Sequence, residues 1–449
     1  MDQHDRPRSL VETSRRTFLR TSVALGAATG LEGILAARRA PAFGQTTKVH
    51  LLQWVDFIPE GDAEVRRQVA EYGKQAKVEV VFETINANDL QARITAAIQS
   101  GAGADIIMML HNWPHLYAGG LADVSDLCEW KAADQGGYYP HSEAAARLGK
   151  QWLALPYATG APLIAYRKSW FAEVGAPQPP KTLEEYRKIG VLLKKKGKPI
   201  GQTLGHTFGD APAWTYPFTW TFGGAETDPT GKKVTLNSKG TIEAAKWMAD
   251  FWKQACDESA LAWDDTNNNR AFHAGEIAAT LNGASIYIFA KRNPEKIKDE
   301  KGEPMWRDIS HFAIPDGANG RTPPYAVAFS HGLMKYSKNQ KAAKEFLKWF
   351  HGKEPFGKWF EIENGYTVGA TTFWENYPMW ERVDEALRPF RTSMSGTRML
   401  GYAGPPTAKA TEVYTKYIIT DMYAKAAQGQ PPADAVKWAD GELKKIYEG

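Results

Sequence analysis

Cysteine is nearly missing from these 449 residues. Only Cys128 and Cys256 occur, far apart, and neither belongs to a CxxC pair or a metal-spaced cluster. That excludes a disulfide-stapled scaffold and argues against a structural zinc or iron–sulfur centre. Both thiols are expected reduced and buried. Long apolar runs are missing too. A membrane span needs about 20 mostly apolar residues. The best candidate, residues 21–31, is shorter, rich in Ala and Gly, and followed by Glu32. No GxSxG, HExxH, GxGxxG or P-loop pattern occurs, so no motif calls for a hydrolase nucleophile, a catalytic zinc or a nucleotide. No cofactor and no metal are expected. There is no repeat at a 20–50-residue period and no low-complexity tract.

An excess of one charge is lacking as well, once the first 42 residues are set aside. Those hold seven Lys/Arg and four Asp/Glu, and the rest of the chain carries 48 basic against 47 acidic residues. A nearly neutral chain has no strongly positive field for nucleic acid. The basic segment is itself informative. Arg15 and Arg16 precede Phe18 and Leu19, a mild apolar stretch follows, and Ala40-Pro41-Ala42 offers small residues for cleavage. This is the layout of a removable signal, and SRRTFLR resembles the twin-arginine export consensus. A signal over residues 1–42, read by the twin-arginine export machinery, places the remaining chain in the periplasm. Why a chain without a cofactor motif would take a route used by folded proteins is not legible in the sequence.

What is abundant is aromatic. Sixteen Trp is high for this length; some must build the core, and Trp also stacks on sugar faces while its indole donates a hydrogen bond. About 400 residues are too many for one core, so two domains are expected. Along the chain, "KVHLLQWVDF" (48–57), "KVEVVFETI" (77–85) and "ADIIMML" (104–110) read as strands separated by helices at 60–75 and 86–101. That alternation predicts a mainly parallel sheet with crossover helices. Two extended pieces flank a turn at 159–162, and Thr182 caps a helix in "TLEEYRKIGVLLKKKG". A further helix, turn and strand in "NNNRAFHAGEIAATLNGASIYIFAKR" (267–292) imply a second sheet. Residues 372–449 read as mostly helical.

Four stretches carry a family resemblance: "ADIIMMLHNWPHLYAGGLADVSDL" (104–127), "LPYATGAPLIAYRKSWFAEVGAPQPPKTLEEY" (155–186), "AFHAGEIAATLNGASIY" (271–287) and "KYSKNQKAAKEFLKWF" (335–350). In this order they resemble the sugar-binding branch of the extracytoplasmic solute-binding proteins of ATP-driven importers. One departure is minor: Ala-Ala-Thr stands near Ala279, where the family usually has Met. The resemblance implies a periplasmic-binding-protein type II-like α/β fold, two lobes joined by a hinge, with a ligand cleft between them. Lobe one would comprise 46–156 and 325–371, and lobe two 162–318 and 373–449. Hinge crossings would lie near 157–161, 319–324 and 372. The implied partners are a carbohydrate or polyol and the membrane permease of the importer, with the receptor itself monomeric and without catalytic residues.

Candidate binding residues follow from strand ends and aromatic clusters. Ligands of open α/β sheets sit beyond the carboxyl ends of the strands. Trp54 and Asp56 follow the first strand, as a ring platform beside a hydroxyl acceptor. His111, Asn112 and Trp113 follow the third strand, and Tyr157 precedes the first crossing. Trp214, Tyr216 and Trp220 form a cluster equally suited to core packing or stacking. Asn282 and Gly283 resemble the family position where a strand end meets solute, and glycine there permits close backbone approach. Tyr366 precedes the last crossing, and Arg398 and Tyr402 occupy a loop that approaches ligand in the resembled family. Two other readings stay open: a receptor for a polyamine, peptide or organic acid, and an exported glycan-processing enzyme. The latter needs two carboxylates flanking a bond, for which Asp56, Glu83, Asp210, Asp264 and Asp265 are available.

Overall fold

The computed structural model describes residues 47–160 and 162–449. The expected export signal, 1–42, lies outside the described residues, as does Ala161 of the first crossing.

Chain order gives β1 (Lys48–Trp54), α1 (Pro59–Ala76), β2 (Glu79–Ile85), α2 (Leu90–Ser100) and β3 (Ile106–Leu110). Pro59 and the acidic pair Glu60 and Asp62 fill the first turn of α1, where a missing N–H and negative charge both suit a helix start. β3 is Ile-Ile-Met-Met-Leu, and each of its side chains is fully buried. A continuous apolar run is what a strand covered on both faces requires. Each such side chain contributes about 1.5–3 kcal/mol on leaving water.

The chain continues with β4 (Leu155–Gly160), β5 (Leu163–Arg167), α3 (Leu183–Lys195), α4 (Asp210–Thr221), α5 (Lys239–Ala255), α6 (Asn267–His273), β6 (Ala279–Asn282), α7 (Ser285–Arg292) and β7 (Ile309–Phe312). Thr182 caps α3 as expected. The Glu185 amide donates to its Oγ1 at 3.1 Å, and the Thr182 amide donates back to the Glu185 carboxylate at 3.4 Å, a reciprocal cap that stabilises a helix start by about 1 kcal/mol. Then follow β8 (Val327–Leu333), α8 (Gln340–Phe350), α9 (Lys353–Glu363), β9 (Thr367–Gly369), α10 (Ala408–Thr415), α11 (Ile418–Ala427) and α12 (Pro432–Tyr447).

Two sheets result. The larger has the order β9-β4-β8-β3-β1-β2, and the smaller β6-β5-β7. The larger sheet corrects the expectation of a mainly parallel sheet. Only β1 pairs parallel, with β2 and β3; β8 runs antiparallel to β3 and β4, and β9 antiparallel to β4. The cause is topological. β1 to β3 are linked by crossover helices, whereas β8 enters from the other lobe and so runs the opposite way. The smaller sheet is wholly antiparallel.

β4 and β5 are nearly consecutive yet belong to different sheets. Residues 313–326 return the chain from β7 to β8. Trp374 packs on Phe356 and Phe360 of the first lobe at 4.6 and 5.2 Å, and its indole donates to Gln135 at 3.0 Å. The chain meets the second lobe near Asp384, whose carboxylate accepts from Tyr287 at 2.9 Å. Cys128 and Cys256 are both buried and unpaired. Among the described residues no helix is long and apolar enough to cross a membrane.

Candidate functional site

The carboxyl end of β1, the end of β4 and the start of β8 lie together at one edge of the larger sheet, since Val327 pairs with Gly160 and Phe329 with Leu110 and Ala158. The end of β6 faces this edge from the smaller sheet, where Asn282 pairs with Leu163. Between them is a narrow cavity of about 40 Å³. Its two walls differ chemically. The first lobe supplies Trp54, Phe57, Phe329 and Tyr366. The second supplies Asp210, Asp265 and Asn282, with Phe208 reaching across.

The aromatic wall is built on Trp54. Its ring meets Phe329 at 4.8 Å, Phe57 at 5.7 Å and, across the lobes, Phe208 at 5.3 Å. Trp54 is 4 % exposed, so the wall is fixed by packing. The polar wall is fixed by hydrogen bonds. Asp265 receives the amides of Gly209 and Asp210 at 3.1 and 2.7 Å, which caps the start of α4. Asp210 Oδ2 accepts from Asn268 at 2.6 Å and Asn282 at 3.4 Å. Ser285 donates to Asn282 Oδ1 at 3.0 Å, which orients that amide. Burial, then the neighbouring negative charge of Asp265, pushes the Asp210 carboxyl well up. Burial raises Asp265 to about 6, opposed by its hydrogen bonds from the two amides.

Four of the sequence-derived candidates line this cavity: Trp54, Asn282, Gly283 and Tyr366. Gly283 is needed for clearance, because a Cβ there would sit 2.9 Å from the Tyr366 ring on the facing lobe. Asp56 and Tyr157 line a smaller cavity of about 20 Å³ on the far side of Trp54. Asp56 accepts the Ile58 amide at 2.8 Å, and burial raises its carboxyl to about 7.

His111 and Asn112 instead bridge the lobes beside the cavity. The His111 ring is held between Tyr325 at 2.8 Å and Tyr414 at 2.9 Å, and Tyr414 also donates to the Phe208 carbonyl. Burial lowers the His111 imidazole to about 3, so it is neutral. Asn112 donates to the Thr407 carbonyl at 3.4 Å and accepts from Thr411 on its own carbonyl at 3.2 Å. Tyr216, Trp220 and Tyr402 cluster around Tyr325, and Arg398 lies 4.1 Å over the Tyr402 ring. These four do not line the cavity. Trp113 and Trp214 are core: Trp113 is 1 % exposed, and the Trp214 indole is fully buried against Met248 and Phe218.

Phe57, Phe208 and Phe329 were not among the sequence candidates. Phe57 stands one residue after Asp56, so the same strand-end signal reaches it. Phe208 lies in a loop without pattern, and Phe329 reads as an ordinary strand residue. The sequence offers Asp210 and Asp265 only as catalytic acids.

Comparison with known proteins agrees with this fold. A probable ABC transporter-binding protein of Deinococcus radiodurans is 22 % identical over 365 residues, covering 78 % of this chain and 82 % of the relative. A diacetylchitobiose binding protein, DasA of Streptomyces coelicolor, is 25 % identical and covers 84 % of both chains. A maltotriose-binding protein of Pyrococcus abyssi is 25 % identical over 64 % of this chain and 59 % of the relative. Among solved structures, maltose-bound MalE3 of T. maritima superposes with a TM-score of 0.75 at 18 % identity, over 89 % of this chain and 100 % of the other. A ribitol complex of an ABC transporter solute-binding protein from Agrobacterium radiobacter gives 0.70 at 19 % identity, over 89 % and 98 %. The two lobes, the cavity between them and a match to the family over residues 58–355 make this chain a member of the bacterial extracellular solute-binding proteins.

Proposed function

We propose that the protein is the carbohydrate-capturing component of an ATP-driven importer. It takes a mono- or oligosaccharide or polyol between its lobes in the periplasm and delivers it to a membrane permease. One observation carries the reading: an aromatic wall on one lobe faces a carboxylate and amide wall on the other. Sugars present the complementary pair of surfaces, apolar C–H faces and a rim of hydroxyls. Relatives named for maltotriose and diacetylchitobiose, and structures holding maltose and ribitol, support the same class.

The ligand acts by linking the lobes. Only the closed arrangement lets one molecule touch Trp54 and Asp210 together, so binding shifts the open–closed equilibrium toward closure. The crossings at 161–162 and 313–326 serve as the hinge, with the third near Asp384. Closure brings Arg292 of α7 to Glu60 at 2.6 Å and to the Ile362 carbonyl at 2.6 Å. The closed face is the form a permease would recognise. The twin-arginine machinery would export the chain, which acts as a monomer and makes or breaks no bond.

Asp210 and Asp265 are the pair a glycosidase reading would select, since both line the cavity with raised carboxyls. Their placement disfavours it. They sit side by side on one lobe rather than flanking a bond, and Asp265 is engaged by two backbone amides. The test is a thermal-shift screen of the full chain against sugars and polyols, with amines, peptides and organic acids as the contrasting set. Stabilisation by a saccharide or polyol without its hydrolysis supports the proposal. Stabilisation by the contrasting set alone, or turnover of a glycan, overturns it.

A further inference from the structure

We propose that the carbohydrate taken by this cleft carries a cationic amino group, which seats among the aromatic rings with Asp210 as its counter-ion. The inference rests on the carbohydrate reading and narrows it.

The ring geometry comes first. A pyranose stacks on one broad face or between two parallel ones. Here the rings around Trp54 stand steeply to it, at 75° for Phe57, 60° for Phe208 and 69° for Phe329. They are the walls of a box. A box of ring faces suits a compact ammonium, which is drawn to several π-systems at once.

Charge is the second observation. The described residues lining the cavity include two carboxylates and no lysine, arginine or histidine. Asp265 is committed to the start of α4. Asp210 is not: both of its amide contacts fall on Oδ2, and Oδ1 receives no hydrogen bond from the described residues. Behind the aromatic wall, the buried Glu363 has no partner on either carboxyl oxygen. The arginine nearest in charge to it, Arg292, is bonded to Glu60. Burial holds the Asp210 and Glu363 carboxyls well above their usual range, because no cation among the described residues is bonded to either. An ammonium supplies the missing partner and draws Asp210 into its charged form.

The test is calorimetry of the full chain with matched saccharides: glucosamine and its β-1,4-linked dimer, their N-acetylated forms, glucose and maltose, and spermidine as an amine without a sugar. The free-amine saccharide is expected to bind at least about tenfold more tightly than its N-acetylated and unmodified counterparts. Asp210→Asn should erase most of that preference, with circular dichroism confirming its fold. Phe57→Leu tests the box on the same pairs should Asp210→Asn fail to fold. Neutral saccharides binding as tightly as the amines overturn the amino-group inference and leave the carbohydrate reading standing. Binding of spermidine with no saccharide bound overturns both. Absence of binding by every amino saccharide also overturns the inference.

Discussion

Trp54 lines two cavities and touches three other rings, so it is the side chain on which ligand binding depends most. Trp54→Ala is expected to weaken saccharide binding at least about tenfold, or ~1.4 kcal/mol, by calorimetry. Trp220 gives the contrast, for its ring packs on Tyr325 and Tyr402 away from the cavity. Trp220→Ala should cost about 3–5 kcal/mol of stability, read as a lower Tm, with affinity less affected. Asp56 gives a pH-dependent outcome. Its carboxyl titrates at about 7 when folded and near 3.9 when unfolded. Between those values the folded state holds a proton that the unfolded state has released, so stability falls as pH rises through this window and the loss is complete above it. Asp56→Asn removes the cost. It should raise stability on the order of 2–4 kcal/mol at pH 8 and little at pH 4. Equal gains at both pH values would show that burying the charge is not the source.

At the scale of elements, closure depends on how closely the end of β6 approaches the turn before β9. Gly283 and Tyr366 leave no space for a Cβ. Gly283→Ala should therefore weaken affinity about tenfold, mainly through faster release, because the closed state is disfavoured while each lobe is untouched. Stopped-flow release of bound sugar measures it; an unchanged release rate would mean that the lobes close without this contact. Strand and helix positions were largely legible in sequence, because β3 is a continuous apolar run and Thr182 with Glu185 forms a recognisable cap. Strand direction was not. Local pattern is identical for parallel and antiparallel neighbours, and β8 takes its direction from a chain that has travelled through the other lobe. The site divided in the same way. Trp54 stands at the end of β1, where the rule for open sheets finds it, and Asn282 and Gly283 stand where the family resemblance implies a strand end meeting solute. Phe208 lies in a loop and is placed by Tyr414, some 200 residues later, bonding its carbonyl, a relation no local pattern carries. Trp214 and Trp220 show the converse: aromatic density marked them, but α4 is buried on every side and absorbs such rings as core.

For the whole molecule, the two sheets hold walls of opposite character and the crossings let them approach. Arg292 bonded to Glu60 and the Ile362 carbonyl is a clasp across the mouth. Its ion pair is partly exposed, so it contributes at most about 1 kcal/mol, and most of the closure energy must come from the ligand. Saturating ligand should accordingly raise Tm with a dependence on its concentration. The most direct measurement is a calorimetric titration of the full chain with mono- and oligosaccharides and polyols, repeated on Trp54→Ala. The expected result is saturable one-to-one binding of at least one saccharide or polyol, weakened at least about tenfold in the variant. A panel in which none binds, or a bound sugar to which Trp54→Ala shows the parent affinity, would contradict capture of a carbohydrate between these two walls.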